Sequence, residues 1–199
     1  DGVSIEKVDL ATGDIGSNWA ASSCASGHSA GRLACVAGGL GSGLILNEVL
    51  NNPIDEQTGE FIELSNLGSV PVDLAGLWIS DGDQTEPLVT WSGGTTVLAA
   101  GARALIIDSG YAGNFTIPAG TVVMTTTDNH LGNGLSVSDP ISVLEIDGAS
   151  VIDTWWAPFN PGNGTSVEKV AGPVGDLAGN WQPCTCANGA SPGLPNCVS

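Results

Sequence analysis

Basic residues are nearly missing from this chain: four Lys and Arg stand against 21 Asp and Glu, for a formal net charge of −17. A surface of that sign repels phosphate backbones and anionic lipid, which argues against nucleic acid and direct membrane insertion. Long apolar runs are missing too, since none approaches the roughly 20 residues that span a bilayer. The chain opens at Asp1 without the basic and apolar stretches of a secretory signal, so either a signal has been removed or the sequence is a segment of a longer precursor. Only two histidines occur, His28 and His130, and both read as surface loop residues and not as the base of a nucleophile–base pair. Lys, Arg, Met and Gln are scarce, which leaves Ala and Leu as the main helix formers. Gly, Val, Thr and Ser are plentiful, and that balance predicts an all-β chain.

What is present is a repeat. Gly2-Val3-Ser4-Ile5-Glu6-Lys7-Val8 matches Gly164-Thr165-Ser166-Val167-Glu168-Lys169-Val170 at an offset of 162, and the match runs on without a gap. Asn18-Trp19 falls on Asn180-Trp181, Cys24 on Cys186, Gly27 on Gly189, Ser29 on Ser191, Gly31 on Gly193 and Cys35-Val36 on Cys197-Val198; 16 of the 35 positions from Gly2 to Val36 are identical. Residues 1–36 therefore read as the tail of one unit repeating 163–198, residues 37–43 as a Gly/Ser linker, and residues 44–199 as a complete unit.

The five cysteines contain no CxxC pair and have no matching histidine cluster, so disulfides in an oxidising compartment are expected in place of zinc. Cys24 and Cys35 are 11 apart, as are Cys186 and Cys197, and two equivalent local bridges are the simplest pairing. Cys184 is left over, either as a buried unpaired thiol or as a handle for an intermolecular bond. Sequons at Asn114 and Asn163 are candidate glycosylation sites.

Short strands are expected at Leu44–Leu50, Phe61–Ser65, Leu77–Ser80, Leu88–Trp91, Ala102–Asp108, Val122–Thr126, Ile141–Ile146, Ser150–Thr154 and Ser166–Lys169, separated by Gly, Pro, Asn and Asp. Asp147-Gly148 signals a two-residue hairpin. Many short strands without helical periodicity predict an antiparallel β-sandwich, with Trp78, Trp91 and Trp155 in its core.

The segments LILNEVLNNP (44–53) and EFIELSNLGSVPVDLAGLWISDG (60–82), followed by GTSVEKV, a later NW and a closing SPGLPN (191–196), resemble a lamin tail domain of the secreted bacterial or archaeal type. The likeness spans about residues 44–199 and is densest from Leu44 to Gly82. It implies an immunoglobulin-like β-sandwich, here with an additional N-terminal β segment, and it implies no catalytic residues. The cysteine pairs and the acidic balance depart from the family's pattern, and the long heptad rod of a nuclear lamin is absent.

Paired carboxylates at Asp55-Glu56, Glu60 with Glu63 and Asp81 with Asp83 have the residue types of an acid–base couple, but nothing else marks a glycosidase, and no enzyme is expected. Asp81, Asp83 and Glu86 in a Gly-containing loop are candidate calcium ligands, weighed against an ordinary solvated loop; no other cofactor is implied. Glu6-Lys7 and Glu168-Lys169 lie in the repeated strand, where a neighbouring edge could pair them across strands; a plain solvated face is the expectation.

The extra tail suggests an extracellular or cell-surface structural protein whose copies join head to tail into a filament or array, residues 1–36 docking on a neighbour. A slice of a tandem array has the same architecture without self-assembly. The alternative is an accessory module that binds cell-surface polysaccharide through Trp156 and Phe159; an exposed aromatic cluster would favour it and buried rings would count against it.

Overall fold

The structure, a computed structural model, describes residues 5–7, 19–21, 43–113, 115–156, 159–172 and 178–198. Its strands are β1 Ile5–Lys7, β2 Trp19–Ala21, β3 Leu44–Leu50, β4 Phe61–Asn66, β5 Val72–Asp73, β6 Trp78–Ser80, β7 Thr85–Pro87, β8 Val89–Thr90, β9 Val97–Leu98, β10 Arg103–Ile107, β11 Val122–Thr125, β12 Pro140–Leu144, β13 Val151–Trp156, β14 Val167–Lys169 and β15 Trp181–Pro183. One turn of 3-10 helix, Ala178–Asn180, is the helical element among the described residues. None of these elements is a helix long and apolar enough to cross a membrane. Strands stay short because exposed Asx residues punctuate them: Asp55, Asp73, Asp147 and Asn160 each accept the backbone amide two residues on.

The expected all-β sandwich is what the structure shows. A seven-stranded sheet in the order β15-β14-β3-β4-β10-β11-β8 faces a four-stranded sheet ordered β13-β12-β6-β7, and β5-β9 form a small ribbon. Leu46, Val49, Ile62 and Ile106 from the large sheet meet Ile79, Val143 and Trp155 from the small one in a single apolar core. Trp155 and Trp181 pack there as a tilted pair with centroids 5.5 Å apart, and Lys169 Nζ lies 5.2 Å from the Trp181 ring centre. Trp155 is a core residue as expected, whereas Trp78 and Trp91 are half-buried.

Two details of topology differ from the sequence reading. First, β10 and β11 pair in parallel, Ala104 opposite Val122, within an otherwise antiparallel sheet. Parallel neighbours need a crossover. Residues 108–121 supply it, and Tyr111, Phe115 and Ile117 from this segment cover a second apolar cluster of Leu50, Phe61, Leu105 and Ile107. The large sheet is therefore buried on both faces. Second, the Asp147-Gly148 turn is wider than two residues: β12 ends at Leu144 and β13 begins at Val151, closed by Glu145 N donating to Ser150 O at 2.8 Å. Asp147 shapes it by accepting from the amides of Ala149 and Ser150, and Gly148 takes a φ of 67°.

The short strands β5, β7, β9 and β15 fall outside the expected set, because two or three residues carry no readable periodicity. β1 and β2 form a two-stranded sheet of their own. Their register, Ile5 opposite Ala21 and Lys7 opposite Trp19, is that of β14 and β15, where Val167 faces Pro183 and Lys169 faces Trp181. The offset of 162 thus holds in hydrogen-bonded pairing as well as in sequence.

Trp155→Ala removes a ring that is 1% exposed, and loss of its packing is expected to cost about 3–5 kcal/mol. Trp156→Ala, next along the strand but 70% exposed, is expected to stay within about 0.5 kcal/mol of the parent. Urea denaturation of both variants checks the assignment of faces on β13.

Candidate functional site

The feature that organises the molecule starts with one extra residue. Along β3 the register to β4 runs Leu46 to Leu64 and then Glu48 to Glu63, so Asn47 is a bulge. Strict alternation would send Glu48 to the same face as Leu44 and Leu46. The bulge inverts the pattern: Val49 enters the inter-sheet core, while Leu50 joins the opposite cluster and Glu48 turns to that face with it.

Across the sheet Glu168 of β14 sits opposite Glu48 of β3, and Glu48 opposite Glu63 of β4. Three carboxylates therefore stand side by side on one face, each 0% exposed. Like charges directly opposite one another destabilise a sheet. What offsets this is the last stretch of chain, 189–198, which lies over the row and donates to it. Ser191 N gives a 2.8 Å bond to Glu48, Gly193 N a 2.6 Å bond to Glu63, and the amides of Cys197 and Val198 bonds of 2.9 and 3.1 Å to Glu168. Ser166 Oγ donates to Glu48 at 2.6 Å, Asn47 Nδ2 to Glu63 at 2.6 Å, and Arg103 forms an ion pair with Glu63 at 3.3 Å.

Ser191 Oγ lies 3.0 Å from Glu48 Oε2 and 2.6 Å from Glu168 Oε1. A hydroxyl has one proton to give, so it satisfies both oxygens only when one carboxyl is itself protonated. Burial pushes Glu48 up to about 7, with the neighbouring Glu168 charge adding to the shift. Burial and then Glu48 push Glu63 up to about 8 against the pull of Arg103.

The solvated face expected for Glu168-Lys169 is corrected here: both side chains are buried. Glu168 belongs to the carboxylate row, and Lys169 points the other way, 3.8 Å from Asp153 and over Trp181. A single alternating pair of polar residues on an edge hairpin looks solvated in sequence; the tail folding back over Glu168, and Asp153 with Trp181 on the Lys169 side, reverse that. The glycines of the tail serve the same geometry. Gly189 and Gly193 take φ of 80° and 76°, and a Cβ on Gly193 would lie 2.8 Å from Pro118 Cδ. Both recur in the repeat as Gly27 and Gly31.

A second group of acids holds a second loop by the same means. The amides of Leu131, Gly132, Asn133 and Leu135 donate to Asp108, Glu86, Asp81 and Glu60 at 3.0, 2.8, 2.9 and 3.1 Å. Burial raises Glu60 to about 8 and Asp108 to about 6. Two of the candidate calcium ligands, Asp81 and Glu86, are thus buried and bonded to backbone, while Asp83 is exposed. Sequence reasoning missed both clamps; the one available signal was that four bases cannot partner 21 acids, so buried carboxylates must find backbone donors.

Cys186 and Cys197 form the expected bridge, with Cα atoms 5.5 Å apart, and Cys184 is a buried free thiol. Cys24, Cys35, His28 and Asn114 lie outside the described residues. Among the described residues, the group of ligand-type side chains gathered within 4.8 Å is Glu168, Cys184, Cys186 and Cys197. Two of its sulfurs are joined to each other in the Cys186–Cys197 bridge. Asn163 and His130 are exposed. Of the rings considered for stacking, Trp156 is 70% exposed and Phe159 packs partly buried against the core, so no two-ring platform forms there. A cavity of about 170 Å³ lined by Leu50, Pro53, Ile54 and Phe115 has Asp55 as its one carboxylate, and that group is bonded to Gln57 N and Thr58 Oγ1. No protein-family model matches the chain, and no curated protein matches it.

In an unfolded chain these glutamates titrate near 4.3, so between that value and about 8 the folded state holds protons the unfolded state has released. Their stabilisation is complete below about 4.3 and is lost as pH rises through about 7–8. The urea midpoint is expected to fall from pH 5 to pH 8.5, a loss on the order of a few kcal/mol. Glu63→Gln should flatten that slope, and Asp83→Asn, at an exposed position away from these glutamates, should not. A midpoint that rises with pH would mean the row is fully ionised in the folded state.

Proposed function

We propose that the chain is an extracellular structural protein without enzymatic activity, a lamin-tail-like sandwich subunit that joins a neighbouring sandwich head to tail through residues 1–36. The observation that carries this reading is a contrast between two copies of one hairpin. Val167 of β14 is 0% exposed because β3 and the core receive it, whereas its counterpart Ile5 is 69% exposed in a hairpin that, among the described residues, forms a two-stranded sheet of its own. An isolated two-stranded hairpin is marginal in water, so β1–β2 calls for a sheet to join.

The residues that hold the second tail are repeated in the first. Ser166, Glu168, Ser191, Gly193 and Cys197, which contribute to the bonds over the carboxylate row, recur as Ser4, Glu6, Ser29, Gly31 and Cys35. The cradle of residues 44–162 is already filled by 163–198, so residues 1–36 need a second body or an open edge. Contacts of this heterologous kind do not close on themselves and build filaments or arrays. The slice-of-a-tandem-array reading supplies that second body from the same polypeptide. A polysaccharide-binding accessory module has less support, since among the described residues it rests on the exposed ring of Trp156.

Negative-stain microscopy and light scattering of the non-reduced chain over a concentration series test the proposal. Filaments or concentration-dependent oligomers are expected, and Glu6→Ala should abolish them while leaving the denaturation midpoint of the sandwich unchanged. Dispersed single particles up to high concentration would overturn self-assembly and leave a module of a longer chain.

A further inference from the structure

We propose that Cys184, Cys186 and Cys197 form a three-sulfur exchange site, in which the buried thiol of Cys184 attacks Cys197 Sγ and moves the free thiol of the domain to Cys186. This stands independently of head-to-tail assembly. Its basis is proximity: the three sulfurs and a Glu168 oxygen all lie within 4.8 Å of one another. Cys186 N donates to Cys184 Sγ at 3.3 Å, which holds the free sulfur beside the bridge.

The step conserves atoms and electrons. Cys184 loses its proton, its sulfur forms a bond to Cys197 Sγ, the Cys186–Cys197 bond breaks, and the electron pair stays on Cys186, which takes up a proton. No external oxidant or reductant enters. Attack at Cys197 is the productive direction, because a bridge from Cys184 to Cys186 would have to close across Thr185 alone, whereas Cys184 to Cys197 closes a loop similar to the existing one.

The exchange changes what the solvent meets. Cys184 is 8% exposed and Cys186 half-buried, so the thiol leaves a protected position for an accessible one. A low-molecular-weight disulfide could then be captured at Cys186, its own S–S bond breaking and one half departing as a thiol. The resting state is quiet for a physical reason. Burial pushes the Cys184 thiol up to about 12, and Glu168 on β14 and Glu48 on β3 add to the shift, while the Cys186 amide opposes it. Exchange is therefore slow at neutral pH and speeds up as the thiolate fraction grows.

The first copy of the repeat lacks this thiol. Cys24 and Cys35 reproduce the bridging pair, but the position of Cys184 is taken by Ser22. A third sulfur is thus a specific addition to the second tail.

The test is alkylation of the folded, non-reduced chain with iodoacetamide from pH 7 to 10, followed by peptide mapping at acid pH. Label is expected on Cys186, with Cys184 recovered in a bridge to Cys197, and a rate that climbs about tenfold per pH unit. Cys184→Ser should retain the Cys186–Cys197 bridge and leave Cys186 unlabelled at every pH. Cys186→Ser should contain a Cys184–Cys197 bridge. Label confined to Cys184, no label at all while the chain stays folded, or two free thiols in Cys186→Ser would each overturn the proposal.

Discussion

Three glutamates on adjacent strands, Glu168, Glu48 and Glu63, share one buried face of the large sheet, and much of the domain's second half is arranged to make that arrangement tolerable. A carboxylate taken out of water needs a cation, a proton or several hydrogen-bond donors. Among the described residues the cation at the row is Arg103, and its ion pair there is with Glu63. Protons and donors do the rest: burial lifts Glu48 and Glu63 toward neutrality, and the segment 189–198 presents its amides and Ser191 to the row. The disulfide from Cys186 to Cys197 closes the loop that carries those donors, and Glu168 accepts the amides of Cys197 and Val198 at its far end. Sheet, tail and bridge are thus one device.

The same chemistry explains why so acidic a chain can fold compactly. Part of its negative composition is internal fastening, not surface charge. Four more acids, Glu60, Asp81, Glu86 and Asp108, hold the amides of residues 131–135, and exposed Asp residues cap turns by bonding the amide two positions on. With so few Lys and Arg, the backbone is the only abundant donor, and the fold places irregular segments where carboxylates can reach them. In the proposed assembly residues 1–36 would bring the same donors to a neighbouring sandwich, since Ser4, Ser29 and Gly31 stand where Ser166, Ser191 and Gly193 stand in the second tail.

Strands with a clear apolar run were legible in the sequence: Leu44–Leu50 has the expected ends, and Phe61–Asn66 and Arg103–Ile107 lie within a residue or two of them. Strands of two or three residues were not, because too few side chains alternate to leave a signal. The Asn47 bulge was invisible for a related reason: LILNEVL reads as one apolar strand with two polar residues, and only pairing with β4 reveals that Asn47 is the extra one. The fate of Glu168 depended on a segment some 25 residues further on folding back over it, and that of Lys169 on Asp153 and Trp181 reaching it on the other face, contacts that local pattern does not encode. The tryptophans split likewise, Trp155 inward and Trp156 outward, by the alternation of β13.

By itself the sequence determined the class of fold, the extent of the repeat and the pairing of Cys186 with Cys197, since these follow from composition, self-similarity and spacing, which are local or one-dimensional properties. Tertiary structure alone decided which acids are buried, which face the Asn47 bulge gives Glu48, that β10 and β11 run parallel, and that Cys184 rests against a bridge. Each of these depends on which distant segment covers a given face, and burial, not residue type, sets whether a carboxylate or a thiol is a solvated charge or a protonated, hydrogen-bonded part of the core.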